Sequence, residues 1–385
     1  MTRPDLKPAS LAAQALGWID EETRAVVPPI HASSTFLRDP DNRYGSGRIY
    51  ARADHPGFDQ PEALLAALEG AADALVFASG MAAATAVFMA LSPGDHVVAP
   101  RVMYWSLRNW LTGFAASWGL RVELADTADS NALEAAVRPG ETKLVWIETP
   151  ANPLWTITDI AQAAEIAHAA GARLAVDSTV ATPVLTRPLS LGADVVMHSA
   201  TKYLNGHSDL VAGALCVRAA DAFWQRIESV RIQLGGVLGG FEAWLLLRGM
   251  RTLFPRVRAA CAAAERIAAH FARHPAVEQV LYPGLPDFPG HETARRQMQG
   301  GFGAMLSLRV KGGEHAAVAT AANVSLWKRA TSLGGVESLI EHRASVEGES
   351  SPVPRDLLRL SVGLEDPDDL IADLEAALEA AGCAD

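Results

Sequence analysis

From Phe58 onward, short apolar runs alternate with segments whose apolar residues recur at helical spacing. The runs Ala74–Ala78, His96–Ala99, Arg121–Ala125, Lys143–Glu148, Arg173–Asp177, Asp194–His198 and Gly213–Val217 read as strands, several of them apolar enough to be covered on both faces. Gln60–Glu69 and Ile160–Ala170 have the spacing of amphipathic helices. Strand-helix alternation of this kind predicts an α/β fold with a mostly parallel, doubly covered sheet. A long helical stretch, Phe241–Arg273, then leads into a second region with fewer strands (Val277–Tyr282, Gly303–Val310 and Leu357–Val362) and a closing helix at Pro367–Ala380. The first fifty-odd residues are rich in Pro, Asp, Arg, Gly and Ser and show little periodicity, so they read as an extended arm. The expected organisation is an arm over 1–57, a large domain over 58–245 and a smaller α+β domain over 246–385.

Composition narrows the choice of partners. A chain of 385 residues with a net charge of −11 lacks the basic surface that nucleic acid requires. Cys216, Cys261 and Cys383 are far apart and odd in number, so they build neither a disulfide framework nor a CxxC metal site, and a reducing cytoplasm fits them. Met1–Glu22 has no continuous apolar run of the kind a signal peptide carries. Ala74–Leu91 is free of charge and nearly long enough to span a membrane, but Ser79-Gly80 interrupts it, which favours a strand-turn-helix unit. The eleven histidines form no HExxH pair.

In open α/β sheets the chemistry lies at the carboxyl ends of the strands, so the polar residues ending the apolar runs are the candidates. The segment Asp194–Asp209, DVVMHSATKYLNGHSD, places Lys202 in a turn of small hydroxyl residues. The chain has five lysines against many more arginines, and only an amine can form a Schiff base. A surface lysine in a loop is the alternative. Asp177 ends the run ARLAVD; it is either an acid awaiting a cationic partner or a cap for the next segment. Phe77–Ala82, FASGMA, is either a phosphate cradle at a helix start or a plain tight turn; it fits neither the Walker A nor the GxSxG pattern. Asn152, in ETPANP, is held in a restricted loop that also reads as simple turn chemistry. Arg359 falls within an apolar strand, where its guanidinium needs either a substrate carboxylate or an internal ion pair.

Taken in order, these motifs resemble the Cys/Met-metabolism family of pyridoxal phosphate (PLP) enzymes, from about Pro28 to the C-terminal helix. SATKYLNGHSD followed by Ala212-Gly213 carries the most specific part of that resemblance. It implies the type I PLP fold, similar to aspartate aminotransferase, with the large domain binding the cofactor. It implies that Lys202 forms the Schiff base and takes the α-proton, and that Asp177 pairs with the pyridine nitrogen. Ser199, Thr201 and the N–H groups of Gly80 and Met81 would face the phosphate, and Tyr104 would stack on the ring and assist the leaving group. Asn152 would lie near the ring hydroxyl and the substrate carboxylate, which Arg359 would bind with Ser332 beside it. Tyr50 and Arg52, in IYARADHPG, match a Y-x-R that reaches the phosphate of a neighbouring subunit, implying a homotetramer of two active dimers acting on a small amino acid.

The subtype is less sharply marked. Cystathionine γ-synthases and γ-lyases commonly show AESLGG, whereas this chain has ATSLGG, with Thr331 in place of the glutamate. Trp105 replaces a common glycine, Ser106 stands where methionine γ-lyases have cysteine, and His55 replaces a frequent asparagine. GGVESLIEHRA favours chemistry at the γ-carbon. The resulting expectation is a C–S lyase acting on L-cystathionine or a related amino acid, with γ-elimination ahead of β-elimination; γ-replacement by a synthase or sulfhydrylase is the alternative.

Overall fold

A computed structural model describes residues 6–348 and 352–382. Seven strands form the large sheet: β1 (Asp73–Phe77), β2 (His96–Pro100), β3 (Arg121–Ala125), β4 (Thr142–Glu148), β5 (Arg173–Asp177), β6 (Val195–His198) and β7 (Gly213–Val217). Their order is β1-β7-β6-β5-β4-β2-β3. Only β7 runs against the rest, pairing antiparallel with both β1 and β6. The expected mostly parallel sheet is present, with strand ends displaced by no more than a residue or so.

Alternation along each strand explains the double cover. In β4, Val145 and Ile147 enter one core while Leu144 and Trp146 enter the other. The first core also takes Leu64 and Leu65 of helix Pro56–Glu69 and Ile160 and Ala163 of helix Ile160–Ala169. The second takes Phe88 of helix Gly80–Met89 and Ile227 of helix Ala222–Leu234. The charge-free stretch Ala74–Leu91 is thus a strand, a turn and a helix, and among the described residues no helix is long and apolar enough to cross a membrane.

The second sheet contains β8 (Val277–Leu281), β9 (Met305–Val310), β10 (Lys328–Arg329), β11 (Leu339–His342) and β12 (Leu357–Ser361), in the order β10-β11-β12-β9-β8. Helix Pro367–Ala380 begins and ends as expected. The stretch Phe241–Arg273 is not one helix but two, Gly240–Met250 and Leu253–Phe271. Pro255 accounts for the break, because its ring would collide with the carbonyl of Arg251 and it has no N–H to offer that oxygen. Among the described residues, the segment before helix Pro56–Glu69 contains a short helix, Pro8–Ala13, a single 3-10 turn, Ala15–Gly17, and otherwise turns and irregular backbone with one bridge between Thr35 and Tyr50.

His55 has a local role that its position hid. It is buried, and its Nδ1 accepts from the N–H of Gly57 at 3.0 Å, capping helix Pro56–Glu69 as an asparagine would. Cys216 and Cys261 are buried free thiols; Cys383 lies outside the described residues.

Candidate active site

Strands β1, β4, β5 and β6 run parallel, so Ser79, Glu148, Asp177 and Ser199 all emerge at one edge of the sheet. There they line a cavity of about 630 Å³, closed on its far side by the loop before β11 and by β12. Lys202, Tyr104, Trp105, Gly80, Met81, Asn152, Thr201, Thr331, Ser332 and Arg359 line the same cavity. Residues dispersed over most of the chain therefore meet in one place.

Lys202 is not a surface lysine. Burial, with the nearby Arg359 charge adding to it and Glu341 opposing, lowers its pKa to about 8. Its Nζ donates to Ser332 Oγ at 2.7 Å. The carbonyl of that same serine accepts from Arg359 Nη2 at 2.8 Å. Ser332 has φ 87°, a conformation uncommon outside glycine, and one residue in this strained turn so ties the amine to the guanidinium. Thr331 beside it is exposed.

Asp177 and Glu148 are directly opposite in the β4–β5 register. Both are buried, and burial raises both pKa values, that of Glu148 to about 8 with the Asp177 charge contributing. Asp177 Oδ1 accepts from the N–H of Thr179 at 3.0 Å, so the capping alternative describes part of its role. No lysine or arginine pairs with it among the described residues, and a carboxylate so placed fits a protonated ring nitrogen. Glu148, which the sequence reading passed over, is a brace. Its Oε2 accepts from the N–H of Tyr104 at 2.7 Å and its Oε1 from that of Asn152 at 2.8 Å. The signal was available, since Glu148 ends an apolar run just as Asp177 does.

The start of helix Gly80–Met89 is also well formed and could receive a phosphate. Ser79 caps helix Gly80–Met89, its Oγ accepting from Ala82 N–H at 3.0 Å. The N–H groups of Gly80 and Met81 find no protein acceptor among the described residues, and they open a helix, where an anion is favoured. A Cβ on Gly80 would lie 2.7 Å from Ser199 Oγ, so only glycine leaves the cradle open. Gly80→Ala is therefore expected to weaken PLP binding about tenfold or more, an overpacking effect of roughly 1–3 kcal/mol. Absorbance titration of the cofactor-free protein measures this, and unchanged affinity counts against the cradle. Ser199 is held by its N–H to Thr179 Oγ1 at 2.8 Å. Thr201 is more committed than expected, since its hydroxyl donates to Ala212 O and accepts from Ala212 N, both at 3.0 Å.

Tyr50 and Arg52, which the resemblance assigns to the phosphate of a neighbouring subunit, do not line this chain's own cavity. Tyr50 is exposed, and Arg52 donates to Ile232 O at 3.0 Å; both border a separate surface groove near Gly239 and Phe241. Arg359 meets both of its alternatives. It is buried in β12 opposite Glu341, with Nη2 2.7 Å from Glu341 Oε2, while Nη1 has a long 3.4 Å contact to Asn152 Oδ1. The internal ion pair exists, and the cavity-facing guanidinium remains able to receive a carboxylate.

A lysine of lowered pKa, an unpaired buried acid and an open helix start fit the three ends of PLP, and the comparisons agree. The model of the Cys/Met metabolism PLP-dependent enzyme family matches residues 10–379. The chain is 45% identical over 377 residues to a cystathionine gamma-synthase of Mycobacterium tuberculosis, covering 96% of each. It is 42% identical over 368 residues to a cystathionine gamma-lyase of Bacillus subtilis, covering 94% of this chain and 96% of the relative. The crystal structure of cystathionine gamma synthase from Xanthomonas oryzae pv. oryzae in complex with cystathionine superimposes with a TM-score of 0.93 at 39% identity, covering 98% and 99% of the two chains. The chain belongs to the Cys/Met metabolism family of PLP-dependent enzymes.

Proposed function

We propose that this trans-sulfuration enzyme cleaves the Cγ–S bond of L-cystathionine by γ-elimination, giving cysteine, 2-oxobutyrate and ammonia with uptake of one water. The observation that carries the reading is the Ser332 bridge, which holds the Lys202 amine and the Arg359 guanidinium on one residue. An amino acid whose carboxylate is bound at Arg359 presents its Cα toward Lys202 Nζ. With a pKa near 8, that amine can accept the α-proton and return it elsewhere on the substrate. PLP, when bound, supplies the electron sink that makes α-proton removal feasible. Tyr104, at the rim of the cavity and braced through Glu148, would pass a proton to the departing sulfur. Asp177 would hold the ring nitrogen, and Gly80, Met81, Ser199 and Thr201 would receive the phosphate. Thr331 would lie near the distal end of the substrate, as a neutral residue where γ-synthases and γ-lyases alike commonly carry an acid.

The 45% identity to a cystathionine gamma-synthase favours a second reading, γ-replacement of an activated homoserine ester by cysteine. Supplying L-cystathionine alone separates the two. Elimination yields 2-oxobutyrate with no second substrate, whereas a strict synthase forms product only when O-succinylhomoserine and cysteine are both present. Pyruvate instead of 2-oxobutyrate would mean β-elimination.

The same proposal includes a cytoplasmic homotetramer with domains divided near residue 245. The exposed apolar side chains of Val26, Ile30, Leu37, Ile49 and Tyr50 on the arm support a partner subunit, and the buried free thiols suit a reducing compartment. Tyr50 and Arg52 would then complete the neighbouring site.

A further inference from the structure

Behind Arg359 the cavity wall carries charges that the proposed reaction does not use. Glu341 Oε2 lies 2.7 Å from Arg359 Nη2 and also accepts from Arg343 Nη1 at 2.7 Å. Arg343 Nη2 in turn donates to Glu347 Oε1 at 2.8 Å. The four side chains are between 2% and 9% exposed, and the signs alternate along the row. Such buried charges persist only when each is paired on both sides or has another polar partner.

The arrangement divides the edges of Arg359 between two tasks. Nη2 is committed to Ser332 O and Glu341, while among the described residues Nη1 has only the long contact to Asn152. Glu341 is itself a carboxylate, and without a second cation it would gain most by taking Arg359 through both nitrogens, the geometry that carboxylates prefer. Arg343 supplies that second cation.

We propose that Arg343 is a positioning residue for substrate recognition: by holding Glu341 it prevents that carboxylate from capturing Arg359 and keeps the Nη1 edge for the carboxylate of the incoming amino acid. The inference rests on the assignment of Arg359 to the substrate carboxylate, and it holds for elimination and replacement alike. Substrate specificity then depends on a competition between an internal and an external carboxylate. Arg343 biases that competition without touching the reacting atoms.

The test uses the PLP-loaded enzyme and two ligands that carry no γ-leaving group, L-norleucine and L-norleucinamide, the second lacking the carboxylate. Dissociation constants are read from the change in visible absorbance. Arg343→Met is expected to weaken norleucine binding about tenfold, the scale of one charge-assisted contact, and to leave norleucinamide within about twofold. Adding Glu341→Gln to that variant removes the competitor and is expected to restore most of the norleucine affinity, which a merely structural lesion would not permit. An unchanged affinity in Arg343→Met, an equal loss for both ligands, or no recovery in the double variant would overturn the proposal. If Arg343→Met does not fold, Glu341→Gln alone decides: norleucine affinity at or above that of the natural enzyme supports the competition, and a tenfold loss refutes it. Arg359→Met serves as the reference. If it leaves the ratio of the two affinities unaltered, the carboxylate assignment itself fails; if it collapses the ratio while Arg343→Met does not, only the role of Arg343 fails.

Discussion

Lys202→Ala is expected to reduce turnover by at least ~10³-fold and to abolish the visible absorbance of covalently held PLP, while leaving the fold intact. General acid–base catalysis alone contributes about 10²–10⁴-fold, and this side chain also holds the cofactor. The fold should tolerate the change because, among the described residues, Nζ hydrogen-bonds only Ser332 Oγ, and the amine is a desolvated cation when protonated. Far-UV circular dichroism checks the fold, and 2-oxobutyrate release checks the turnover. Retention of the absorbance would remove Lys202 from its central role. A pH series on the natural enzyme tests the same residue from another side. Burial, followed by Arg359, moves the amine from its ordinary value of 10.5 to about 8, so the neutral, nucleophilic form predominates above that pH. The rate at which the cofactor-free protein captures PLP should rise about tenfold per pH unit below 8 and level off above it. A rise centred near 10.5 would mean that the amine is solvated.

The fold was legible where one rule governed a whole run of residues. β3, β5 and β7 occupy the expected residues because apolar runs ending in polar ones leave little freedom of register. Asp177 stood out because an acid at the end of a buried strand is expensive unless it has a use, Lys202 because a scarce amine sits in a turn of small residues just past β6, and Asn152 because its loop after β4 is restricted. Other features depended on partners far away in sequence. β10 is two exposed basic residues, Lys328 and Arg329, and nothing in so short a polar pair signals a strand. In β11, Glu341 and His342 follow two apolar residues, and both are buried only because Arg359 and Arg343 satisfy one and Ser345 and the carbonyl of Arg355 the other. The ion-pair row was hidden for the same reason. Arg359 was recognised as a costly cation, but its partner was set by cross-strand register, which spacing along the chain does not encode. Local sterics misled at Arg251–Thr252, where helical periodicity continues but Pro255 forbids the backbone from following it.

Asp177→Asn separates what this site costs from what it does. The amide keeps the oxygen that accepts from Thr179 N–H at 3.0 Å, so the turn after β5 should survive. What disappears is a negative charge that burial disfavours and that faces Glu148 across the strand pair. Turnover is expected to fall by about 10²–10³-fold, because without the carboxylate the ring nitrogen loses the partner that keeps it protonated and electron-accepting. The cofactor-free variant, in contrast, should be at least as stable as the natural protein. Its stability should also depend less on pH. In the natural protein, burial raises the Asp177 pKa above 3.8 and moves Glu148 from 4.5 to about 8. The folded chain then retains protons that the unfolded chain has released, so this pair's contribution to stability declines as pH rises from about 4 to 8. Removing Asp177 also removes the neighbouring charge that helps to raise Glu148, which should flatten that decline. Thermal unfolding of the two cofactor-free proteins at pH 5 and pH 8 measures the difference. Lower stability of the variant at pH 8 would show that Asp177 is a structural cap first, and parallel losses of activity and stability would leave it no separate catalytic role.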